Sequence, residues 1–224
     1  MDTSVSQVTT VLKALLVCGI VASVLRFAAD MLAGMLWKGY SFVSQSISEL
    51  SAIGAPTRSL IVSTEIIWGV LMIAFGLGVW RMSGQSVALR VTACLLIGNA
   101  VVTLVVAGFL PARYGETGSA NTSTANVVVM ALGVVFYLLA MVFGAAAFHG
   151  WFRVFSIAIL LAYVILTVVG LLVPRGATPS GEPMMTTGLQ ERTMMYSYLL
   201  WVATLAIVLL RGGSGLGSVS SGVT

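Results

Sequence analysis

Charged residues are scarce in this sequence. Asp, Glu, Lys and Arg make up 8% of its 224 residues, whereas a soluble domain carries roughly 25%. Apolar residues make up 58%, and the mean hydropathy is +1.05. The 11 basic side chains form no basic tract, which argues against nucleic acid as a partner. The composition therefore predicts an integral membrane protein.

Histidine and cysteine are also rare, and this excludes several kinds of site. The one histidine, His149, lies in a short polar turn away from the acidic residues. The sequence therefore lacks the side chains for Ser-His-Asp or Cys-His catalysis and for a zinc site of the usual ligands. Cys18 and Cys94 fall inside apolar runs, which is typical of small buried residues and not of a disulfide framework. We predict neither a bound metal nor a cofactor.

Long apolar runs dominate the chain. There are six, at about Val8 to Met35, Ser59 to Trp80, Val87 to Leu110, Ala125 to Phe148, Phe152 to Val173 and Thr193 to Leu210. Each can cross a hydrocarbon core of ~30 Å at a rise of ~1.5 Å per residue. Backbone groups in lipid are satisfied in helices or in a closed barrel, and continuous apolar runs without strict alternation favour helices. The sequence predicts an all-α bundle of six transmembrane helices over residues 1–211. The Gly- and Ser-rich residues 212–224 predict a disordered tail.

The even number of spans places both termini on one side of the membrane and three longer loops on the other. Each side carries five basic residues, so the positive-inside rule decides only through the shortness of the two turns on the terminal side. We predict a multi-pass protein of the cell membrane with cytoplasmic termini.

Short motifs recur along the chain. Val105 to Gly115 and Val168 to Gly176 both end on Pro, Arg and Gly. Gly188, Arg192 and Trp201 likewise resemble Gly54, Arg58 and Trp68, which lie before and within the second run. Three helical hairpins around a pseudo-threefold axis would explain the recurrence, as would chance in a sequence of low complexity.

A polar stretch, residues 44–58, separates the first two runs. Ser46 and Glu49 have the spacing of a capping box, which predicts that a short helix starts at Ser46 and ends before Gly54. Such a segment could cover the loop-side end of the bundle or contact a substrate.

Ionisable residues within the spans cost at least ~2.5 to 3.5 kcal/mol each, so each needs a partner. Arg26 and Asp30 lie one turn apart on the first helix, and Glu65 lies at a similar depth on the second. We expect these three to cluster, either as an ion-paired link between the helices or as the lining of a polar cavity that opens to the loop side.

Four arginines mark helix ends on the loop side. A guanidinium binds phosphate or carboxylate through its planar fork, so the four could converge on an anionic head group, or each could snorkel alone to the interface. They are Arg58, Arg113, Arg175 and Arg192. Asn99 is interpreted as an interhelical hydrogen-bonding residue, and the tryptophans, including Trp68 and Trp201, as an aromatic belt.

Two segments carry a resemblance to a known family. With S-I-S-E-L-S-A-I-G-A-P-T-R at Ser46 to Arg58 and G-L-Q-E-R-T-M-M-Y-S-Y-L-L-W at Gly188 to Trp201, the chain resembles the prokaryotic membrane family called domain of unknown function 998. The likeness covers nearly the whole length and implies six helices. Family members often carry histidine in the loop after the third helix, but Phe109 to Asn126 has none, so no metal or acid–base role is carried over. The family in turn is distantly similar to the six-helix lipid-remodelling and autophagy-modulator membrane proteins, and this similarity suggests lipid handling.

Three functions remain open. The first is binding or transport of a small amphiphile, such as a lipid head group, by the residues Arg26, Asp30, Glu49, Arg58, Glu65, Arg113, Arg175 and Arg192. The second is a membrane-embedded lipid-modifying enzyme with Glu49 or Glu65 as general base. The third is a non-catalytic subunit whose small-residue helix faces dock onto another membrane protein.

Overall fold

A computed structural model describes residues 2–109, 124–172 and 187–215 of the chain, and all regular structure in these ranges is helical. Six long helices and one short helix follow one another: α1 Asp2–Leu36, α2 Ile47–Leu50, α3 Arg58–Met82, α4 Val87–Phe109, α5 Thr124–Ala147, α6 Trp151–Leu172 and α7 Thr187–Gly215. The prediction of an all-α polytopic membrane protein is confirmed.

Five helices contain segments that are long and apolar enough to cross a membrane: Gln7–Leu36, Arg58–Met82, Val87–Phe109, Trp151–Val169 and Gly188–Gly212. The remaining long helix, α5, has 24 residues and is therefore about 36 Å long. Its described side chains form a shorter apolar segment, Ala131–Ala147. The six long helices thus correspond to the six apolar runs of the sequence. The choice of membrane and the side of the termini stay predictions.

The long helices form a closed ring. Each packs against its neighbours in chain order, and α7 returns to pack against α1. Consecutive helices therefore pair as the hairpins α1–α3, α4–α5 and α6–α7, whose connections are the three longer loops. A threefold internal repeat of these hairpins stays a prediction.

The apolar core occupies the half of the ring near the short turns. Met72 and Phe75 of α3, Leu96 of α4 and Leu205 of α7 are completely buried there. Trp201 is also fully buried, and its indole N–H donates to Ser156 Oγ at 2.9 Å. The interpretation of the tryptophans as a belt is therefore wrong for Trp201 and for Trp68, which is 4% exposed. Both lie more than two turns inside their helices, away from the interface.

Helix α7 is longer than the hydropathy of the sequence indicates. It starts at Thr187, before the predicted Thr193, because polar side chains in its first turns are satisfied by other segments of the protein. At its other end it continues to Gly215, which is four residues into the predicted tail. The rest of that tail, residues 216–224, lies outside the described residues.

Candidate functional site

A buried ion pair joins the first and last helices, α1 and α7. Arg192 of α7 donates to both oxygens of Asp30 on α1, with Nε–Oδ2 and Nη2–Oδ1 distances of 3.0 and 3.2 Å. Arg192 is 3% exposed and Asp30 is completely buried. Since a guanidinium and a carboxylate fit each other as planar forks, this is the strong bidentate form of the contact. Asp30 was expected to cluster with Arg26 and Glu65, and that expectation is wrong because its carboxylate is occupied by Arg192.

The Arg192 guanidinium also holds the loop between α1 and α3. Nη1 donates to the Phe42 and Gln45 carbonyl oxygens at 2.8 and 3.1 Å, and Nη2 donates to the Tyr40 hydroxyl at 2.7 Å. Burial raises the pKa of Tyr40 to about 12, although the hydrogen bond and charge of Arg192 act to lower it. Tyr40 therefore stays protonated at neutral pH, and its O–H donates to the Ser46 carbonyl oxygen at 2.8 Å.

Gly188 allows the loop to approach α7 so closely. A Cβ atom added at Gly188 would lie 2.2 Å from the Gln45 carbonyl oxygen and 2.8 Å from that of Phe42. Both distances are far below van der Waals contact, so this position requires glycine. The Leu189 N–H then donates to the Val43 carbonyl oxygen at 3.0 Å, which adds a second link between helix and loop.

The short helix α2 lies where the capping box predicted it. Glu49 accepts the Ser46 N–H at 3.3 Å and the Gln45 side-chain N–H at 2.8 Å. The Glu191 carboxylate of α7 accepts the Ile47 N–H at 2.9 Å, so α7 contributes to the cap as well. Leu50 is completely buried against α1 and α3, together with Ala33 and Ile61. The prediction of a short helix in this stretch is confirmed.

The second interhelical ion pair joins Arg26 of α1 to Glu65 of α3. The Nη2–Oε1 distance is 3.1 Å, and the two side chains are 13% and 15% exposed. This part of the predicted cluster is confirmed. The pair lies one turn deeper in the bundle than Asp30 and Arg192, and it borders a cavity.

The cavity lies inside the ring, in the half near the longer loops. It has a volume of about 280 Å³, and its lining comes from α1, α3, α4, α5 and α7. Polar lining is provided by Arg26, Glu65, Trp68, Asn99 and Tyr198, among others, and much of the rest is aliphatic. A concave, mostly apolar space with a few convergent polar groups is the usual form of a small-molecule site.

Several polar atoms on this lining lack a hydrogen bond. Within the described part of the chain, four buried side-chain nitrogen and oxygen atoms have no partner: Arg26 Nη1, Trp68 Nε1, Asn99 Nδ2 and Tyr198 Oη. All four belong to residues that line the cavity. Asn99 lies near the hydroxyls of Tyr137 and Tyr198, but neither its amide nitrogen nor the Tyr198 hydroxyl reaches hydrogen-bonding geometry there. Buried polar groups are nearly always paired, so this concentration points to a bound molecule or to water.

The eight residues predicted for the site do not form one group. Arg26 and Glu65 line the cavity, whereas Asp30 and Arg192 pair with each other and Glu49 caps α2. Arg58 donates to the Ser51 carbonyl oxygen, whereas Arg192 donates to those of Phe42 and Gln45, so these two arginines do not converge on one of these acceptors. Arg113 and Arg175 lie outside the described residues.

Sequence reasoning did not place in the site the three other lining residues that carry an unpartnered polar atom. Trp68 follows Glu65 by three positions and so lies on the same face of α3, which is a signal that could have identified it. Asn99 was interpreted from the sequence as a residue that forms a hydrogen bond with a neighbouring helix, and not as part of a binding site. Tyr198 gave no signal, because its position on the cavity depends on how α7 closes the ring.

Comparisons with known proteins give a family and nothing further. A family model described as "Protein of unknown function (DUF998)" matches residues 20–208. The searches of curated proteins and of solved structures found no match. In the searched, described portion of the chain no group of His, Cys, Asp and Glu side chains could hold a metal ion.

Proposed function

The chain belongs to the DUF998 family, and we propose that it binds a small amphiphile in the cavity inside its helix ring. The observation that supports this is the set of unpartnered atoms on Arg26, Trp68, Asn99 and Tyr198. Leaving one buried polar group without a hydrogen bond costs roughly 1–3 kcal/mol. A molecule that formed hydrogen bonds with all four atoms would remove this cost at each of them, which favours binding.

The rest of the lining favours an apolar portion on the same ligand. Val102, Val106, Val134 and Leu199 face the cavity with hydrocarbon only. The volume of about 280 Å³ is also far larger than the roughly 30 Å³ that one water occupies in the liquid. A molecule with a polar end and an aliphatic body would use both parts of the surface, and the surrounding bilayer is a source of such molecules.

The first test fills the cavity. Gly133 lines it, and an added Cβ there would meet Asn99 and Val102 at ordinary contact distance, 3.7 Å. Gly133→Leu should therefore fold while its side chain occupies the ligand's space. The matched control is Gly108→Leu, since Gly108 is an exposed helical glycine with nothing within 4 Å of its added Cβ.

The measurement is native mass spectrometry of protein purified gently from its membrane. Wild type and Gly108→Leu should retain a small amphiphile as a mass adduct, and Gly133→Leu should lose it. A wild type without any adduct, and without stabilisation by an added membrane-lipid extract, would indicate a water-filled cavity and contradict the proposal.

A second pair of variants tests the polar lining. Asn99→Leu removes an amide that faces the ligand, whereas Thr92→Val changes a buried polar side chain of the same helix outside the cavity lining. We expect adduct occupancy to fall in Asn99→Leu and to be retained in Thr92→Val. Equal occupancy in the two variants would show that the amide does not bind the ligand.

The enzyme and partner-subunit functions stay predictions from sequence. Glu49 is engaged at the start of α2 and Glu65 is paired with Arg26, so neither carboxylate gains support as a general base from its contacts.

A further inference from the structure

We infer that the polar group of the ligand is an uncharged hydrogen-bond acceptor, such as the carbonyl oxygen of a ketone, ester or amide. This inference rests on the proposed function, because it names the chemistry of the molecule that the same cavity takes. It departs from the anionic head group that the arginines of the sequence suggest.

The first reason is the charge of the lining. Among the described residues, the ionisable acid and base on the cavity are Glu65 and Arg26, and the 3.1 Å pair that they form carries no net charge. The nearby Arg192 is likewise neutralised by Asp30, and neither belongs to the lining. Arg58 lies two turns away from Glu65 and points its guanidinium at the Ser51 carbonyl oxygen.

An anion would therefore bring an uncompensated charge into a mostly apolar cavity. Desolvation of an ion is repaid only when a partner of opposite charge is free to meet it, and Arg26 is already engaged by Glu65. A neutral ligand has no such cost. The paired charges consequently select against carboxylates and phosphates, although they leave the N–H groups of Arg26 Nη1 available.

The second reason is the direction of the hydrogen bonds. Trp68 Nε1, Asn99 Nδ2 and Arg26 Nη1 can only donate, and the Tyr198 hydroxyl can donate as well. Trp68, Asn99 and Tyr198 are each at least 96% buried, so solvent does not satisfy them. A carbonyl oxygen accepts two hydrogen bonds at once, whereas an ammonium group offers only donors and would leave the three unpartnered nitrogens without an acceptor. The lining therefore also selects against cationic amphiphiles.

The test compares three probes with matched chains. Methyl undecyl ketone and dodecanoate carry the same undecyl chain on a carbonyl carbon, and the ketone has a methyl group where dodecanoate has a charged oxygen. Dodecylammonium is the cationic probe of matched length. Binding is measured on full-length protein in nanodiscs by native mass spectrometry, at about pH 8.5 so that the carboxylate is ionised. We expect the Kd of the ketone to be lower than that of either ion by a factor of about ten or more.

A charge variant gives the sharper result. Glu65→Gln leaves Arg26 without its counter-charge, so the order should reverse, with dodecanoate bound more tightly than the ketone. Tighter binding of dodecanoate by the wild type would overturn the inference while leaving amphiphile binding intact. Should Glu65→Gln not fold, the wild-type ranking and a loss of ketone affinity in Asn99→Leu decide the matter.

The failure of the proposed function has a different signature. Ketone binding that is equal in wild type and Gly133→Leu would mean that probes bind outside the cavity, whatever their order of affinity. Ketone binding that Gly133→Leu abolishes and Gly108→Leu retains would support both the site and its preference.

Discussion

Replacing Arg192 by methionine should strongly destabilise the protein. The change keeps an unbranched apolar chain but removes the guanidinium that meets Asp30, which is completely buried. Removing one partner of a buried pair costs about 3–5 kcal/mol, chiefly because the remaining charge is stranded. The Phe42 and Gln45 carbonyl oxygens lose a donor as well. We therefore expect a loss of about 3–5 kcal/mol in the free energy of unfolding.

The assay is reversible unfolding by sodium dodecyl sulfate in mixed micelles, followed by tryptophan fluorescence. Arg153→Met is the matched control, because Arg153 is exposed at the start of α6 and should change stability by no more than about 0.5 kcal/mol. A value for Arg192→Met within about 0.5 kcal/mol of that control would refute the assignment of Arg192 as the residue that joins loop, α1 and α7.

A double variant separates the stranded charge from the lost packing. If the unpaired Asp30 carboxylate is the main cost, Asp30→Asn in the Arg192→Met background should recover part of the loss, with a coupling of about 0.5–3 kcal/mol between the two positions. Strict additivity of the two changes would show that they act independently, which contradicts the 3.0 Å contact.

Three further predictions concern the same protein. Gly188→Ala should cost about 1–3 kcal/mol in the same unfolding assay, since a loop carbonyl oxygen lies 2.2 Å from the new Cβ, whereas Gly212→Ala, with open space around it, should be neutral or stabilising. Burial raises the pKa of Tyr40 to about 12, whereas the pKa of tyrosine in the unfolded chain is about 10, so the folded protein holds this proton more tightly. The stability that the protonated Tyr40 adds should be complete below about pH 10 and should be lost as the pH rises from about 10 to 12. Tyr40→Phe should not show this pH-dependent loss of stability. Ser156→Ala should cost roughly 1–3 kcal/mol because the buried Trp201 indole N–H loses its acceptor, and an unchanged unfolding midpoint would contradict this.

Predictions that depend on residues close together in the sequence were confirmed by the structure. The capping box from Ser46 to Glu49 spans three residues, and its helix starts where predicted. The pairing of Arg26 with Glu65 was also accessible, since both lie at a similar depth on consecutive helices. The pairing of Asp30 was missed because Arg192 is 162 positions away and reaches it only after α7 closes the ring.

The sequence by itself determined that the chain is a helical membrane protein, because long continuous apolar runs without alternation satisfy their backbone in lipid as helices. Only the tertiary structure decided which charges neutralise each other and which donors are left on the cavity. Trp68, Asn99 and Tyr198 come from three helices, and their shared lack of partners arises from the spacing of those helices in the ring. Hydropathy records how much a residue prefers lipid to water, and it carries no information about which polar atoms will face one another.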